Sequence, residues 1–174
     1  HFAWQASSKQ RRSHLDWGVF HVEHCFLAAW REYNSMLAQY NSALKSRLPE
    51  NQLEGWRERL AFTGEKVSEL RFEHICRINS QFSTLARDLG GLEGVTLDYN
   101  PGWNSSHPLF DCLLQTIERD RVIGHCSVGP HRCDVNFAQS NRVVKDELSQ
   151  GQMKLLLYAL KLAQADVLQD EATN

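Results

Sequence analysis

The sequence lacks the features that mark several large classes of protein. It has only four prolines and ten glycines in 174 residues, too few for a collagenous or disordered chain. No stretch approaches the roughly 18 consecutive apolar residues of a membrane-spanning helix, and the N-terminus has no charged-then-apolar signal pattern. With 42% hydrophobic and 23% charged residues, the chain is instead expected to fold as a globular domain.

The five cysteines are odd in number, scattered, and never in C-x-x-C spacing. This usage fits reduced thiols better than a disulfide framework, so we expect a cytoplasmic protein with no membrane partner. A net charge of -2 gives no overall positive field for nucleic acid, although a local patch can still bind it. Because the chain begins at His1 without an initiator Met, its start is expected to be an artificial or processed end.

Apolar residues recur at helical steps of three and four through the first half of the chain. Residues 13–16 match a capping box, and the steps that follow predict a first helix running to Pro49. Unbroken, it would be roughly 50 Å long at about 1.5 Å per residue and would project as an arm. A second, antiparallel helix is expected over 51–89, with a break near Gly64, since glycine disfavours a helix interior.

The second half of the sequence mixes strands with shorter helices. Alternating apolar residues predict one strand over 95–99, followed by a turn at 100–102, and another strand around 133–137. Ser106 is expected to cap a short helix between them. Residues 148–168 are helical and apolar on nearly all sides, so this helix must be covered by more protein than the chain provides. The fold class predicted from these patterns is mainly α with a small β part (α+β).

The segment from Leu148 to Lys154 carries the strongest chemical pattern. Ser149 can cap the helix that follows while Gln152 reaches back, so free N–H groups and the helix dipole point at one spot that suits a phosphate. Gly151 allows a ligand to approach the backbone, and the cation of Lys154 in the first turn indicates an anionic ligand. An ordinary capped core helix accounts for the same residues, and both interpretations stay open at this point.

Three weaker patterns have structural alternatives of their own. Lys9, Arg11 and Arg12 could contact the DNA backbone or form a solvated terminus. His131 and Arg132 lie in a Gly-Pro-His-Arg turn that could present both side chains to a phosphate, or could be purely structural. The third pattern has the spacing of metal ligands. Buried core residues explain this pattern better, so no metal site is predicted. Its residues are His21, His24 and Cys25, with His74 and Cys76 as possible partners.

Residues 148–152, Leu-Ser-Gln-Gly-Gln, resemble the signature motif of ABC ATPases, and 154–164 are similar to the RecF family in particular. Further RecF-like segments follow the family's order along nearly the whole chain. They are Arg11-Arg12 with 15–23, Trp30 with Tyr33, 99–103, Arg119-Asp120 and 129–134. Two positions depart from the family, which commonly has Arg where Gln150 and Tyr40 stand.

The resemblance implies a helical lid or arm hairpin attached to part of an ABC-ATPase head. In that arrangement 1–13 form an edge of the head, 14–92 the lid, 93–121 a strand-helix return segment, and 122–174 the head segment with the signature helix. ATP would be held between two subunits, with the P-loop of one facing the signature motif of the other. The implied in trans nucleotide contacts are Leu148, Ser149, Gln150, Gly151, Gln152 and Lys154.

The family also implies partners and cofactors for an intact protein: ATP and Mg²⁺, DNA at single-strand/double-strand junctions, a second copy, and the mediators RecR and RecO acting on RecA in recombinase loading and the SOS response. The sequence has no G-x-x-x-x-G-K-[ST] and no hydrophobic strand ending in paired acids. We therefore expect the chain alone to hold no cofactor and to have no catalytic residues. A non-enzymatic helical interaction module is the alternative, and an exposed apolar strip on the arm would be its mark.

Overall fold

The computed structural model describes residues 7–144 and 147–173, with side chains described as far as residue 170. Six α-helices, three short strands and one 3-10 turn make up this part of the chain, which confirms the predicted α+β class. The elements are α1 (Ser8–Val22), α2 (Phe26–Lys45), α3 (Glu50–Gly90), β1 (Val95–Asn100), α4 (Leu109–Gln115), α5 (Ile117–Ile123), the turn Pro130–Arg132, β2 (Asp134–Gln139), β3 (Arg142–Val143) and α6 (Gln150–Thr173).

The chain divides into two compact units. The first unit contains the residues up to 23, then 71–99, and the residues from 134 onward; the second contains 24–70 and 100–133. The predicted lid, 14–92, thus contributes to both units, and its role as a lid stays a prediction. Residues 1–6 of the predicted head edge lie outside the described residues. Within the described ranges, none of the helices has the length and apolar character needed to cross a bilayer.

In the first unit, α1, the C-terminal part of α3 and α6 accompany a three-stranded sheet in the order β1-β2-β3. β2 and β3 are antiparallel, with Ala138 opposite Val143, and a tight turn joins them. The Phe82 ring of α3 stacks on Phe137 of β2 with centroids 5.6 Å apart, so α3 packs against one face of the sheet. The alternation predicted for β1 is confirmed, since Val95 and Leu97 are both buried.

Two buried arginines link elements within this unit. Arg11 of α1 makes a two-pronged ion pair with Asp134 of β2, at 2.6 and 2.7 Å. Arg71 of α3 makes the same arrangement with Asp16 of α1, at 2.7 and 2.9 Å. The planar guanidinium matches both carboxylate oxygens at once, which fixes orientation as well as distance. These pairs hold α1 to both the sheet and α3.

The second unit is built from α2, the N-terminal part of α3, α4 and α5. Its fully buried side chains include Tyr40, Leu44, Leu53, Leu60 and Leu113. The N-cap of α4 is Pro108 and not the predicted Ser106, and the Leu109 N–H donates to Glu65 Oε1 of α3 at 2.8 Å. A side chain from elsewhere in the chain thus satisfies the start of this helix, and local capping patterns cannot reveal such a partner.

The predicted single helix from 13 to Pro49 is wrong. α1 begins earlier, after the N-cap Ser7, and ends at Val22, where Glu23 takes an extended backbone conformation. The chain resumes as α2 at Phe26. The apolar period conceals this break because Val22 and Phe26 are four residues apart and both buried. The spacing of buried residues therefore continues from α1 into α2, although the helix is interrupted between them.

The predicted break at Gly64 is also wrong, because α3 is one helix of 41 residues. A Cβ at Gly64 would lie 2.7 Å from Leu109 Cδ2 and 3.1 Å from a ring carbon of Tyr33. The glycine thus serves close packing between elements of the second unit. That packing offsets the helix-propensity cost of about 1 kcal/mol.

Candidate functional site

The N-terminus of α6 has the reciprocal hydrogen bonds of a capping box. The Gln152 N–H donates to Ser149 Oγ at 3.2 Å, and the Ser149 N–H donates to Gln152 Oε1 at 2.9 Å. The Met153 N–H donates to the Ser149 carbonyl at 2.9 Å, which makes Ser149 the residue from which the helix starts. This local geometry is the one predicted from the sequence, and it fixes the backbone around Gly151.

The same segment is open on its outer side. Ser149, Gln150, Gly151 and Lys154 are exposed, and Leu148 and Gln152 are half-buried. Among the described residues, the only atom within 4 Å of a Cβ placed on Gly151 would be Ser149 Oγ, at 3.9 Å. An anion can approach the Gly151 backbone along the helix axis, where the dipole is positive and Lys154 adds charge. Because the Gln152 N–H already bonds Ser149, the predicted role of that amide requires the bond to be shared or exchanged.

The opposite side of α6 anchors this loop in the first unit. Met153, Leu156, Ala159, Leu160 and Ala163 are all buried. The prediction of an apolar helix is thus accurate for one face, while Tyr158 and Leu162 remain 59% and 46% exposed on the other. A ligand at the capping box would meet a backbone held by a packed helix.

In the second unit the structure joins two segments that the sequence analysis singled out separately. The Gly129 N–H donates to the Gly102 carbonyl at 3.1 Å, which pairs residues 100–103 with the turn Pro130–Arg132. Gly102 has φ +96, and a Cβ there would overlap the Gly129 carbonyl oxygen. Gly129 has φ +127, so both positions favour glycine for conformation and Gly102 also for space.

His131 of this turn uses both ring nitrogens to bond residues outside the turn. Its Nε2 lies 3.0 Å from the Cys126 carbonyl and its Nδ1 lies 2.7 Å from the Tyr33 hydroxyl. A carbonyl can only accept, so Nε2 carries a proton, and in the neutral ring Nδ1 then accepts from the Tyr33 hydroxyl. The predicted phosphate contact of His131 would need one of these bonds to break. Arg132, in contrast, is exposed and turned to solvent.

The basic run at the start of the chain is divided by burial. Arg11 is 6% exposed and is committed to Asp134, whose hydrogen bond raises its pKa further. The geometry therefore assigns Arg11 to the fold of the first unit and not to a DNA backbone. Lys9 is exposed and Arg12 is half-buried, so these two residues retain surface positions. No local pattern signals the difference, because Asp134 is 123 residues away.

The spacing of His21, His24 and Cys25 does not produce a metal cluster. α1 ends before His24, so the three residues do not share one helix face, and the His21 Nδ1–H donates to the Trp17 carbonyl at 2.8 Å. Across the described ranges, no three His, Cys, Asp or Glu side chains come together in a way that could hold a metal ion. Residues spaced i, i+3 and i+4 lie on one face only in a continuous helix, and the break after Val22 removes that condition.

A buried polar cluster in the first unit was missed by the sequence analysis. His74 is 1% exposed and Gln164 is 2% exposed, and neither ring nitrogen of His74 has a hydrogen-bond partner within the described part of the chain. Burial, together with the charges of Arg77 and His14, lowers the pKa of His74 to about 4. Gly18 makes room for the cluster, since a Cβ there would lie within 2.6 Å of both side chains. In the sequence, the only sign of this cluster is Gly18, a glycine inside a helix.

A second buried polar group surrounds Tyr40, one of the positions that depart from the family pattern. Tyr40 is fully buried, and burial raises its pKa. Its neighbour Arg57 is 1% exposed and pairs with Glu50 at 2.5 Å. Asp120, also fully buried, accepts from the Thr116 hydroxyl at 3.0 Å. In the second unit the buried cation is therefore the guanidinium of Arg57, and the neighbouring position 40 holds an uncharged tyrosine.

An exposed apolar strip on the arm would indicate an interaction module. No such strip surrounds Phe62, the most exposed aromatic residue of α3. Phe62 is 72% exposed, but its helix neighbours Glu58, Arg59, Glu65 and Lys66 are exposed and charged. Isolated surface apolar residues of this kind are normal in globular proteins. This part of α3 therefore gives no support to the interaction-module alternative.

Comparison with known proteins shows which proteins this sequence and this fold are similar to. No family model matches the chain. Individual relatives do: the DNA replication and repair protein RecF of Stutzerimonas stutzeri is 35% identical over 95% of this chain, and that of Stenotrophomonas maltophilia is 42% identical over 90%. The predicted resemblance to the RecF family is confirmed, because the similarity to these two proteins extends over 95% and 90% of this chain. It spans about half the length of the curated relatives it matches, 45% and 43% in these two cases.

Solved structures agree on the fold. A structure described as the recombination mediator protein RecF with ATP, in the RecFOR pathway, matches 99% of this chain with a TM-score of 0.89. The identity is 21%, and this chain covers 51% of that one. The helices and the small sheet thus occur together in a RecF protein, as the resemblance implied.

Proposed function

We propose that this chain contributes the ABC signature motif of a RecF-like, ATP-dependent DNA-binding protein of replication and recombinational repair. The observation that carries the proposal is the N-terminus of α6, where a complete capping box leaves Gly151 open to a ligand. The names of the relatives, DNA replication and repair protein RecF, support the biological role.

In this proposal the motif contacts the γ-phosphate of ATP held by another subunit. The Gly151 N–H, the helix dipole and the Lys154 ammonium would stabilise the phosphate charge. Ser149 Oγ can accept from Gln152 and still donate its own O–H to a phosphate oxygen, because a hydroxyl does both. Leu148 and Gln150 flank the contact. Bound Mg²⁺ would neutralise phosphate charge, using ligands that we expect from the P-loop side.

The DNA contacts proposed for this chain fall on surface cations. Lys9 and Arg132 are exposed and Arg12 is half-buried, so each could meet the phosphate backbone, whereas the bonds of His131 assign it to holding the turn. Preference for single-strand/double-strand junctions, cooperation with RecR and RecO in loading RecA, and a part in the SOS response belong to the same proposal. They rest on the family and on the RecFOR description of the matched structure.

A cytoplasmic location is also proposed. All five cysteines are free, and Cys25 and Cys76 are exposed, as suits a reducing compartment. ATP turnover is assigned to a dimer of a longer chain, because the sequence has no G-x-x-x-x-G-K-[ST]. We therefore expect the 174-residue chain alone to show neither tight ATP binding nor hydrolysis.

The test substitutes Gly151→Ala in a chain extended at both ends to include a P-loop and an acidic strand. Gly55→Ala is the matched control, because Gly55 also lies exposed in a helix, with no described atom within 4 Å of a Cβ. Neither methyl group clashes with the described residues, so both variants should fold with stability equal to the parent or slightly above it. We expect ATP-dependent dimerisation, measured by light scattering, to weaken at least tenfold in Gly151→Ala and not to change in Gly55→Ala.

The proposal is wrong if Gly151→Ala dimerises with ATP as the parent does, since a ligand that approaches this backbone must sense the added methyl group. Equal loss in both variants would point to a general effect on the helices and would also count against it. Turnover of ATP by the isolated chain would contradict the assignment of the reaction to a dimer.

A further inference from the structure

Asn79 of α3 makes both of the hydrogen bonds that β1 offers at Leu97. Its Nδ2 donates to the Leu97 carbonyl at 3.1 Å, and its Oδ1 accepts from the Leu97 N–H at 2.9 Å. In an antiparallel hydrogen-bonded pair, two opposed residues exchange these same two bonds. The carboxamide therefore occupies the place that one residue of an additional strand would take.

The bonds lie on the outer edge of the sheet. Among the described residues β1 neighbours only β2, and the hydroxyl of Thr96 lies 3.5 Å from the Ala138 carbonyl of β2. The N–H and C=O groups of successive strand residues point alternately to the two sides, and the Leu97 N–H bonds Asn79. The backbone groups of Leu97 therefore point away from β2, toward the edge at which another strand would add.

α3 reaches this edge from the side of the sheet that it covers. Its buried residues Ile75, Ile78 and Phe82 belong to the packed face, where Phe82 stacks on Phe137. Asn79 is half-buried and is next to Ile78 in sequence, so it stands at the rim of that packed face. From this position its side chain extends to the strand edge while the helix backbone stays with the packed face.

We propose that the outer edge of β1 is a strand-pairing surface that Asn79 keeps closed, and that β1 of a second copy would pair with it once Asn79 is removed. Unpaired strand edges are templates for association, and proteins block them with covering elements or side chains. Asn79 blocks this edge by supplying one donor and one acceptor in the geometry of a strand residue.

The sequence of β1 is complementary to itself in the register that this geometry selects. An antiparallel pair centred on Leu97 places Thr96 opposite Asp98 and Val95 opposite Tyr99. Aromatic and β-branched residues form favourable cross-strand pairs, and no two like charges face each other. A second copy of β1 is therefore the occupant that fits.

The test compares Asn79→Ala with Ser80→Ala, a control at the adjacent exposed position of α3. Sedimentation equilibrium over a broad range of concentration should show the parent and Ser80→Ala as monomers. Asn79→Ala should move toward the mass of a dimer as concentration rises. Helix content by circular dichroism should match in all three, because the contact closes an edge and does not hold the fold together.

A double variant tests the register. Thr96 is exposed, and combining Asn79→Ala with Thr96→Asp would place the new carboxylate of each copy against Asp98 of the other. Like charges directly opposite destabilise a strand pair, so this variant should return to a monomer. A dimer that persists in the double variant forms elsewhere on the molecule and would overturn the proposal.

Hydrogen exchange gives an independent measurement on the parent and on Asn79→Ala. The Leu97 amide should exchange slowly in the parent, lose at least tenfold of its protection in dilute Asn79→Ala, and regain it on dimerisation. Three results would overturn the proposal: a Leu97 amide that exchanges freely in the parent, an Asn79→Ala chain that stays monomeric at every concentration, and an Asn79→Ala chain that does not fold.

Discussion

The N-terminus of α6 and the glycine-linked turns of the second unit are both candidate ligand surfaces, but they are assembled in different ways. Ser149 and Gln152 of the α6 capping box are three residues apart and bond each other directly. The turn Pro130–Arg132 depends on Gly102 and on Tyr33, which is 98 residues away from His131. A site built from neighbours in sequence tolerates change elsewhere, whereas the second site depends on the packing of the whole unit.

The substitution Gly102→Ala should disrupt the second site most strongly. Its Cβ would overlap the Gly129 carbonyl oxygen, and φ is +96. We expect a loss of about 3 kcal/mol in the free energy of unfolding, from overpacking and backbone strain together. Urea denaturation would measure it. Gly94→Ala, at φ +68 with no described atom within 4 Å, should lose only about 1 kcal/mol; equal losses would mean that the close approach contributes nothing.

The buried histidine of the first unit should make stability depend on pH. The pKa of His74 is lowered to about 4 in the folded state, so between about 6.5 and about 4 the unfolded chain binds more protons. Stability should therefore fall as pH decreases through this window, with a slope approaching about 1.4 kcal/mol per pH unit. His74→Gln should flatten the slope in urea titrations at several pH values.

The exposed His107 provides the control for this measurement. His107→Gln should retain the pH dependence of the parent. If His74→Gln retains it too, the acid sensitivity arises from other groups.

Tyr33→Phe should sharpen the comparison by removing one hydroxyl from the second site. The Nδ1 of His131 would lose its donor while the aromatic ring stays in place. We expect a loss of about 1 kcal/mol in stability. Nitrogen chemical shifts of His131 should report an Nε2-protonated ring in the parent and a disturbed tautomer balance in the variant. Unchanged shifts would show that Tyr33 does not set the tautomer.

The smallest effect is expected at the local site. Ser149→Ala removes the cap acceptor for the Gln152 N–H, and the rest of α6 stays packed through residues such as Leu156 and Leu160. We expect a stability loss of about 0.5–1 kcal/mol, measured by urea denaturation. A loss as large as that of Gly102→Ala would mean that the α6 site, too, depends on the unit around it.

Local patterns predicted well where the partners are close in sequence. The capping box at Ser149 formed as expected, and the alternation in β1 placed Val95 and Leu97 in the core. Helix periodicity was less decisive, because Val22 and Phe26 keep the apolar spacing across a break. A burial pattern records which side chains face the core, and two helices can continue the same pattern.

The residues that were misjudged are those whose partners are distant. The sequence suggested a surface cation at Arg11, whereas the structure pairs it with Asp134. The sequence suggested a helix break at Gly64, whereas the structure packs this glycine closely against Leu109. The sequence named His74 only as a possible metal ligand and did not show its burial, because desolvation depends on what surrounds a group in three dimensions. Each of these outcomes is set by contacts between elements.

The sequence by itself determined the mainly helical class, the two strands of the sheet with alternating burial, the resemblance to the RecF family and the capped start of α6. Each of these depends on residues adjacent in the chain or on motifs read in order. Only the tertiary structure decided which cations are buried, where helices stop, which glycines permit close packing and that Asn79 closes the edge of β1. Those features arise where separate elements meet, and the free energy of each contact exists only once both sides are in place.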